Sequence, residues 1–235
     1  MRRSGLLPRL IQLYVGLVSY GVSSALLVRS RLGLDPWDVL HQGIAEHLHV
    51  AIGTVTDLVG LVVLVGWIPL RQRPGLGTIS NVILIGLSMN VALDRIPHTS
   101  PLGLRVAEMF GGILLCGIAT GMYIGAHFGP GPRDGLMTGL SRRTGRSIRL
   151  TRAMIEFTVL LSGWLLGGTV GIGTVLYAAV IGPQAQLFMR VFARPPTQPA
   201  RRPRAARRAS HRAAGAQALP PGSPVPAGAL DRPID

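Results

Sequence analysis

Apolar residues in this chain come in long unbroken runs separated by short polar intervals, not at the spacing of an amphipathic helix or strand. Six runs are long enough to cross about 30 Å of hydrocarbon at about 1.5 Å per residue. They are Leu10–Val28, Ile52–Leu70, Leu76–Leu93, Val106–Phe128, Ile148–Gly168 and Ile172–Val191. Each predicts a membrane-crossing helix. The first follows Arg2, Arg3 and Arg9 as a secretory leader would, but it outruns a leader's apolar region. Arg29 and Arg31 follow it where a small-residue cleavage site would stand. It reads as a retained helix.

The polar interval "GLDPWDVLHQGIAEHLHV" predicts a further, shorter helix. Asp35 suits its cap, Pro36 its first position, and Asp38 its first turn, where the helix dipole favours an acid. The segment Asp38–Val50 is too short to span and is interrupted by His41, Gln42, Glu46, His47 and His49. It either lies at the interface or enters the membrane as a re-entrant piece, with Leu40, Ile44 and Leu48 as its apolar stripe. Trp37 fits an aromatic interface belt.

The pattern then repeats. A shift of 96 residues without a gap brings Gly16, Gly21 and Gly33 onto Gly112, Gly117 and Gly129. It brings Pro36 and Asp38 onto Pro132 and Asp134, and Gly43 onto Gly139. It also superposes the "GLGT" at 75–78 on the "GIGT" at 171–174, and Ile85–Gly86 on Ile181–Gly182. Glycine, proline and capping aspartate dominate the matches, so backbone geometry is duplicated along with hydrophobicity. In the second copy Pro132 and Asp134 repeat the cap arrangement with Gly131 at the cap position, and Arg133 suits the cytoplasmic face. Each copy holds three spans, an odd number, so the second enters the membrane from the opposite side. The expected fold is an all-α membrane protein of six transmembrane helices in two inverted three-helix repeats, each with a short interfacial or re-entrant helix. Repeat 1 covers residues 10–97 and repeat 2 covers 106–192.

Composition agrees: 48% of residues are hydrophobic and 14% charged, against about a quarter charged in soluble domains. Mean hydropathy is +0.40. The net charge of +14 comes from arginine, because there is no lysine. Arginines flank the apolar runs and fill a Pro/Ala-rich tail, a topology pattern and not a nucleic-acid one. With the N-terminus inside, Arg71, Arg73, Arg133, Arg142, Arg143, Arg146, Arg149, Arg152 and the tail are also inside. Arg29, Arg31, Arg95 and Arg105 are outside. Residues 1–9 and 193–235 are therefore expected in the cytoplasm of a bacterial inner-membrane protein. The tail is expected to be disordered, with Arg201 to Arg212 near anionic headgroups.

Candidate chemistry is sparse. No nucleophile–base–acid set, zinc motif or phosphate loop occurs, so the chain reads as a non-enzyme without catalytic residues, metal or cofactor. His41 and His47 are six apart, which does not place them on one helical face. Cys116, the single cysteine, reads as a packing residue. The intramembrane acids Asp57 and Glu156 fall in equivalent spans, about one turn apart after superposition. With Asn81 and Gln184, and with Ser88, Asn90, Tyr177 and Gln186 nearby, they would line a solute or proton path. The same residues also fit ordinary structural hydrogen bonding, with Arg152 a partner for Glu156.

The stretch "GLDPWDVLHQGIAEHLHVAIGTVTDLVG…WIPLRQRPGLGTISNVILIG" resembles the YczE/YyaS/YitT group of bacterial integral membrane proteins, most closely its YczE-like branch. The resemblance spans residues 10–192. It implies a polytopic inner-membrane protein with no well-established biochemical activity, and some members of the group look like accessories to secondary-metabolite production. It carries no catalytic residues over. Two functions follow as expectations: a small secondary transporter or permease for an unidentified solute, or a non-transporting scaffold for a partner enzyme. The expected partners are the lipid bilayer and one small solute or protein.

Overall fold

The computed structural model describes residues 5–98 and 100–193. The arginine-rich tail, and Arg2 and Arg3, lie outside the described residues. Every regular element among the described residues is helical: α1 (Leu6–Ser30), α2 (Pro36–Leu48), α3 (Ile52–Gly66), α4 (Leu76–Arg95), α5 (Leu102–Gly125), α6 (Pro132–Thr144), α7 (Ile148–Leu165) and α8 (Ile172–Phe192). The second four repeat the first four in order and closely in length. The short helix starts at Pro36, behind its Asp35 cap. The Asp35 side chain accepts from the Trp37 and Asp38 amides at 2.9 and 3.1 Å.

Helices α1, α4, α5 and α8 are each long and apolar enough to cross a membrane, and α2 with α3 forms a further candidate bent by 114°. Helix α7 carries Arg149, Arg152 and Glu156 in its first half, which lowers its hydropathy. Large apolar side chains face outward on several helices: Val62 is 69% exposed, Phe157 65% and Val175 68%. Such faces would be a liability in water and are normal against lipid.

Helices α1 and α5 form the centre and run antiparallel. Arg9 at the start of α1 donates to the Ala126 carbonyl just beyond the end of α5 at 3.1 Å. Gly16 and Gly112, equivalent in the repeat, let them close. A Cβ at Gly16 would sit 2.9 Å from the Tyr123 nitrogen, and one at Gly112 3.0 Å from Leu27 Cγ. Helix α4 packs on α1, and α8 packs on α5. Gly21 makes the first contact possible (Met89 N at 2.8 Å from a Cβ there) and its equivalent Gly117 the second (Gln184 Cβ at 2.9 Å). Small residues thus serve as the close-packing surface, as membrane helices require.

The short helices cross between the halves: α2 packs on α7, and α6 on α3. Here large and small residues are exchanged between equivalent positions. At the first contact Gly163 lets α7 meet the α2 backbone, with Leu40 Cα 2.5 Å from a Cβ there. At the second, the position equivalent to Gly163 is Trp67. Its buried indole lies on Gly135 and donates from Nε1 to the Pro132 carbonyl at 3.0 Å.

One correspondence breaks. Helix α3 lies along α4, whereas α7 makes no comparable contact with α8. Gly86 of α4 is pressed against α3: a Cβ there would overlap the Gly53 carbonyl and lie 2.5 Å from Asp57 Cγ. Its equivalent on α8, Gly182, has nothing within 4 Å of the same point.

Candidate functional site

The loops before α2 and α6 turn inward. Each begins with a glycine in the left-handed region, Gly33 at φ +125° and Gly129 at φ +118°. Each is pinned by the Gly-x-Gly-Thr of the other half. The Gly173 amide donates to the Leu32 carbonyl at 2.8 Å, and the Gly77 amide donates to Phe128 at 2.9 Å. Thr78 Oγ1 also donates to the Pro130 carbonyl at 2.7 Å. The four-residue motif is thus a clamp for the opposite loop as well as a helix start.

The clamped loops aim the first turns of α2 and α6 at each other. Arg133 of α6 reaches Asp35 at 3.6 Å and Asp38 at 3.7 Å, and its guanidinium lies 5.0 Å from the centre of the Trp37 ring. This corrects the reading of Trp37 as an interface residue. Trp37 is 6% exposed, and it belongs with Arg133 to the contact between the loops. Asp38 also accepts from His41 Nδ1 at 3.0 Å, and Thr56 Oγ1 lies 3.0 Å from the same nitrogen. With Nδ1 donating to Asp38, the neutral ring carries its proton there and leaves Nε2 bare. Burial, with the adjacent Asp38 carboxylate, raises the Asp35 pKa to about 7 against the opposing pull of Arg133.

A cavity of about 310 Å³ opens from this contact toward α3, α4, α7 and α8. Asp35, Trp37, His41 and Arg133 line it, as do Tyr20, Tyr123 and Tyr177. Many lining positions are repeat equivalents, such as Pro36 with Pro132, Asn81 with Tyr177, and Ile85 with Ile181. The cavity therefore lies at the junction of the two halves.

Two of the four expected path residues line it and two do not. Glu156 does, accepting from Arg152 Nε at 2.7 Å, and so does Asn81. Asp57 instead accepts from the Gly86 amide at 2.9 Å in the α3–α4 seam. Gln184, the repeat equivalent of Ser88, lies against Gly117 in the α5–α8 seam. Of the cap residues, Asp35 and Pro36 act as expected at α2, and Pro132 opens α6 behind Gly131. Asp38 faces Arg133 and His41, and Asp134 accepts from the Tyr123 hydroxyl at 2.9 Å. The sequence reading missed Arg133, Trp37 and His41 as site residues. One signal was present: an arginine in the first turn of a helix opposes the dipole and calls for a nearby acid.

Comparison with known proteins agrees with this membrane architecture. An uncharacterised protein of Haemophilus influenzae is 42% identical over 179 residues, covering 76% of this chain and 82% of that one. The uncharacterised membrane protein YczE of Bacillus subtilis is 30% identical over 172 residues, 72% of this chain and 80% of that one. The B. subtilis protein YyaS is 24% identical over 184 residues, 77% of this chain and 92% of its own. No solved structure matches. The model of the family of unknown function DUF6198 matches residues 7–190, so this membrane protein belongs to that family.

Proposed function

We propose that this protein is a non-enzymatic carrier that moves a small solute across the bacterial inner membrane by alternating access. It does so with six crossings in two inverted triplets and with both termini in the cytoplasm. The antiparallel α1–α5 pair and the reciprocal loop clamps support a pseudo-two-fold axis in the membrane plane. Arginine supports the orientation. Arg143, which donates to the Pro69 carbonyl, shares one end with Arg71, Arg73, Arg142 and Arg146. Arg29, Arg31 and Arg105 gather at the other end, where Arg105 donates to the Ser30 and Arg31 carbonyls.

The observation that carries the function is the cavity's asymmetry. Its α3–α4 side is sealed at Gly53, Gly86 and Asn90, with the Gly53 amide donating to Asn90 Oδ1 at 2.9 Å. On the α7–α8 side the helices are apart and Arg152 and Glu156 are partly exposed. If the halves exchange conformations, α7 closes on Gly182 and α3 leaves Gly86. The cavity is then offered to the opposite face without any large movement of the α1–α5 centre. Labelling tests this. In a Cys116→Ser background, Ala185→Cys should react with an impermeant maleimide from the cytoplasmic side. Its repeat equivalent Met89→Cys, fully buried here, should react from the outer side, and conditions that raise one rate should lower the other. Reaction of both from the same side only would refute alternating access and leave a scaffold.

A further inference from the structure

The α2 side of the cavity is short of positive charge and of hydrogen-bond donors. Its other acids are matched: Glu156 by Arg152 and Asp134 by the Tyr123 hydroxyl. Asp35 and Asp38 share one guanidinium, and at 3.6 and 3.7 Å both contacts exceed hydrogen-bond length. Four buried polar atoms around that point have no hydrogen-bond partner: Asp35 Oδ2, Asp38 Oδ2, His41 Nε2 and Trp37 Nε1. Their residues are 2%, 1%, 1% and 6% exposed. Asp38 Oδ2 and the bare His41 Nε2 are acceptors, Trp37 Nε1 is a donor, and Asp35 Oδ2 accepts once its carboxyl is ionised. Unmatched buried acceptors are costly, and their concentration beside a cavity marks a site under-filled from within. The aromatic share of this chain is only 5%, yet Trp37, Tyr20, Tyr123 and Tyr177 meet at the cavity wall.

We infer that the cavity takes an organic cation bearing N–H donors, an ammonium, amidinium or guanidinium with an apolar body, seated against Asp35 over the Trp37 ring, with the buried Asp38 carboxylate adding its charge from outside the cavity lining. Arg133 is the tethered stand-in for that cation. It lies over the ring as a guest would, holds both carboxylates loosely, and swings aside when the guest enters. The guest's N–H groups satisfy the Asp35 carboxylate and His41 Nε2, and the tyrosines enclose its apolar part. This inference rests on the carrier reading for its purpose, but binding is measured without transport.

The test uses the full chain in lipid nanodiscs, with titration calorimetry of three probes of similar size. Benzamidinium has the charge and the N–H fork. Benzyltrimethylammonium has the charge alone. Benzoate has the opposite charge. Benzamidinium should bind, benzyltrimethylammonium should bind about tenfold or more weakly, and benzoate should not compete. Arg133→Gln removes the stand-in and should tighten benzamidinium about tenfold, and Asp38→Asn should weaken it by at least as much. Arg133→Gln leaves two buried acids facing each other and risks misfolding. Trp37→Leu, which alters no charge, is the second variant and should weaken binding severalfold. Tighter binding of benzoate, equal binding of the two cations, no binding of any probe, or benzamidinium affinity unchanged by Asp38→Asn and Trp37→Leu would each overturn the inference. If the cysteine labels alternate and benzamidinium does not bind, the carrier stands and the cation site falls. If benzamidinium binds and the labels never alternate, the cation site stands in a protein that does not transport.

Discussion

Alanine at Gly86 and at Gly182 should have opposite effects on stability, although the two positions are repeat equivalents on α4 and α8. At Gly86 the new Cβ would lie 2.5 Å from Asp57 Cγ and closer still to the Gly53 carbonyl oxygen. It is about 1 Å inside van der Waals contact, and neither neighbour is the free end of a flexible side chain. Overpacking of this kind costs about 1–3 kcal/mol. Displacing α3 also lengthens the bond from the Gly86 amide to Asp57, and hydrogen bonds to charged groups contribute about 1.5–3 kcal/mol. Alanine's better helix propensity returns about 1 kcal/mol, so Gly86→Ala should be destabilising by about 1.5–5 kcal/mol. At Gly182 nothing lies within 4 Å, and only the propensity gain of about 1 kcal/mol remains. At about 2–4 °C per kcal/mol for a chain of this size, thermal unfolding in one detergent should show Gly86→Ala melting several degrees below wild type and Gly182→Ala slightly above it. The labelling assay supplies a second arm. Gly182→Ala should suppress outer-side reaction of Met89→Cys, because closing α7 on α8 would then meet a methyl group, as α3 would at Gly86. The reasoning fails if Gly182→Ala destabilises as much as Gly86→Ala, or if a more stable Gly182→Ala leaves the Met89→Cys rate untouched.

Two further outcomes follow from the interior contacts. Asp35 titrates near 7 in the folded protein and near 3.8 unfolded, so its neutral form favours folding. That contribution is full below about pH 4 and is lost as pH rises through 7. Asp35→Asn, which can still cap α2, should flatten the fall in melting temperature between pH 5 and 8; an unchanged slope would remove Asp35 as its source. Trp67→Leu deletes the bond to the Pro132 carbonyl and part of an indole that fills the space over Gly135. It should cost about 3 kcal/mol in denaturation, and a loss below about 1 kcal/mol would show that α6 does not depend on that contact.

How much of this was legible in the sequence follows from which interactions are local. The helices were readable because continuous apolar runs and the Asp35–Pro36 cap act within a few residues of themselves. The duplication was readable because Gly33, Pro36, Gly75 and Thr78 recur at a fixed shift. Where the loops go was not readable. Hydropathy scores Arg133 as a charge and assigns it to an edge, and only its distance to Asp35, 98 positions earlier, shows its contact with the other loop. That Asp57 and Gln184 lie outside the cavity lining was unreadable for a related reason. A polar side chain on an apolar helix fits a helix seam or a cavity equally well by periodicity, and the choice depends on which neighbour brings a glycine. Here Gly86 faces Asp57 and Gly117 faces Gln184.

The pairing of Trp37 with Arg133 explains why the repeat diverges where it does. The two positions are equivalents under the 96-residue shift, and equivalents that touch each other lie beside the pseudo-two-fold axis proposed above to relate the halves. An exact duplicate would set tryptophan against tryptophan or arginine against arginine there. Two arginines would repel in a medium of low dielectric, and two tryptophans would leave Asp35 and Asp38 without a cation. One covalent chain escapes that constraint, because each half is free to change alone. Position 131 is glycine where its equivalent is Asp35, and position 133 is arginine where its equivalent is Trp37, so acid and aromatic come from one half and the cation from the other. Away from the axis, at the loop clamps and the α1–α5 glycines, equivalents meet different partners and identity persists. Within a loop that otherwise keeps its glycine, proline and second aspartate, these two exchanges give a charged contact that an exact duplicate could not form.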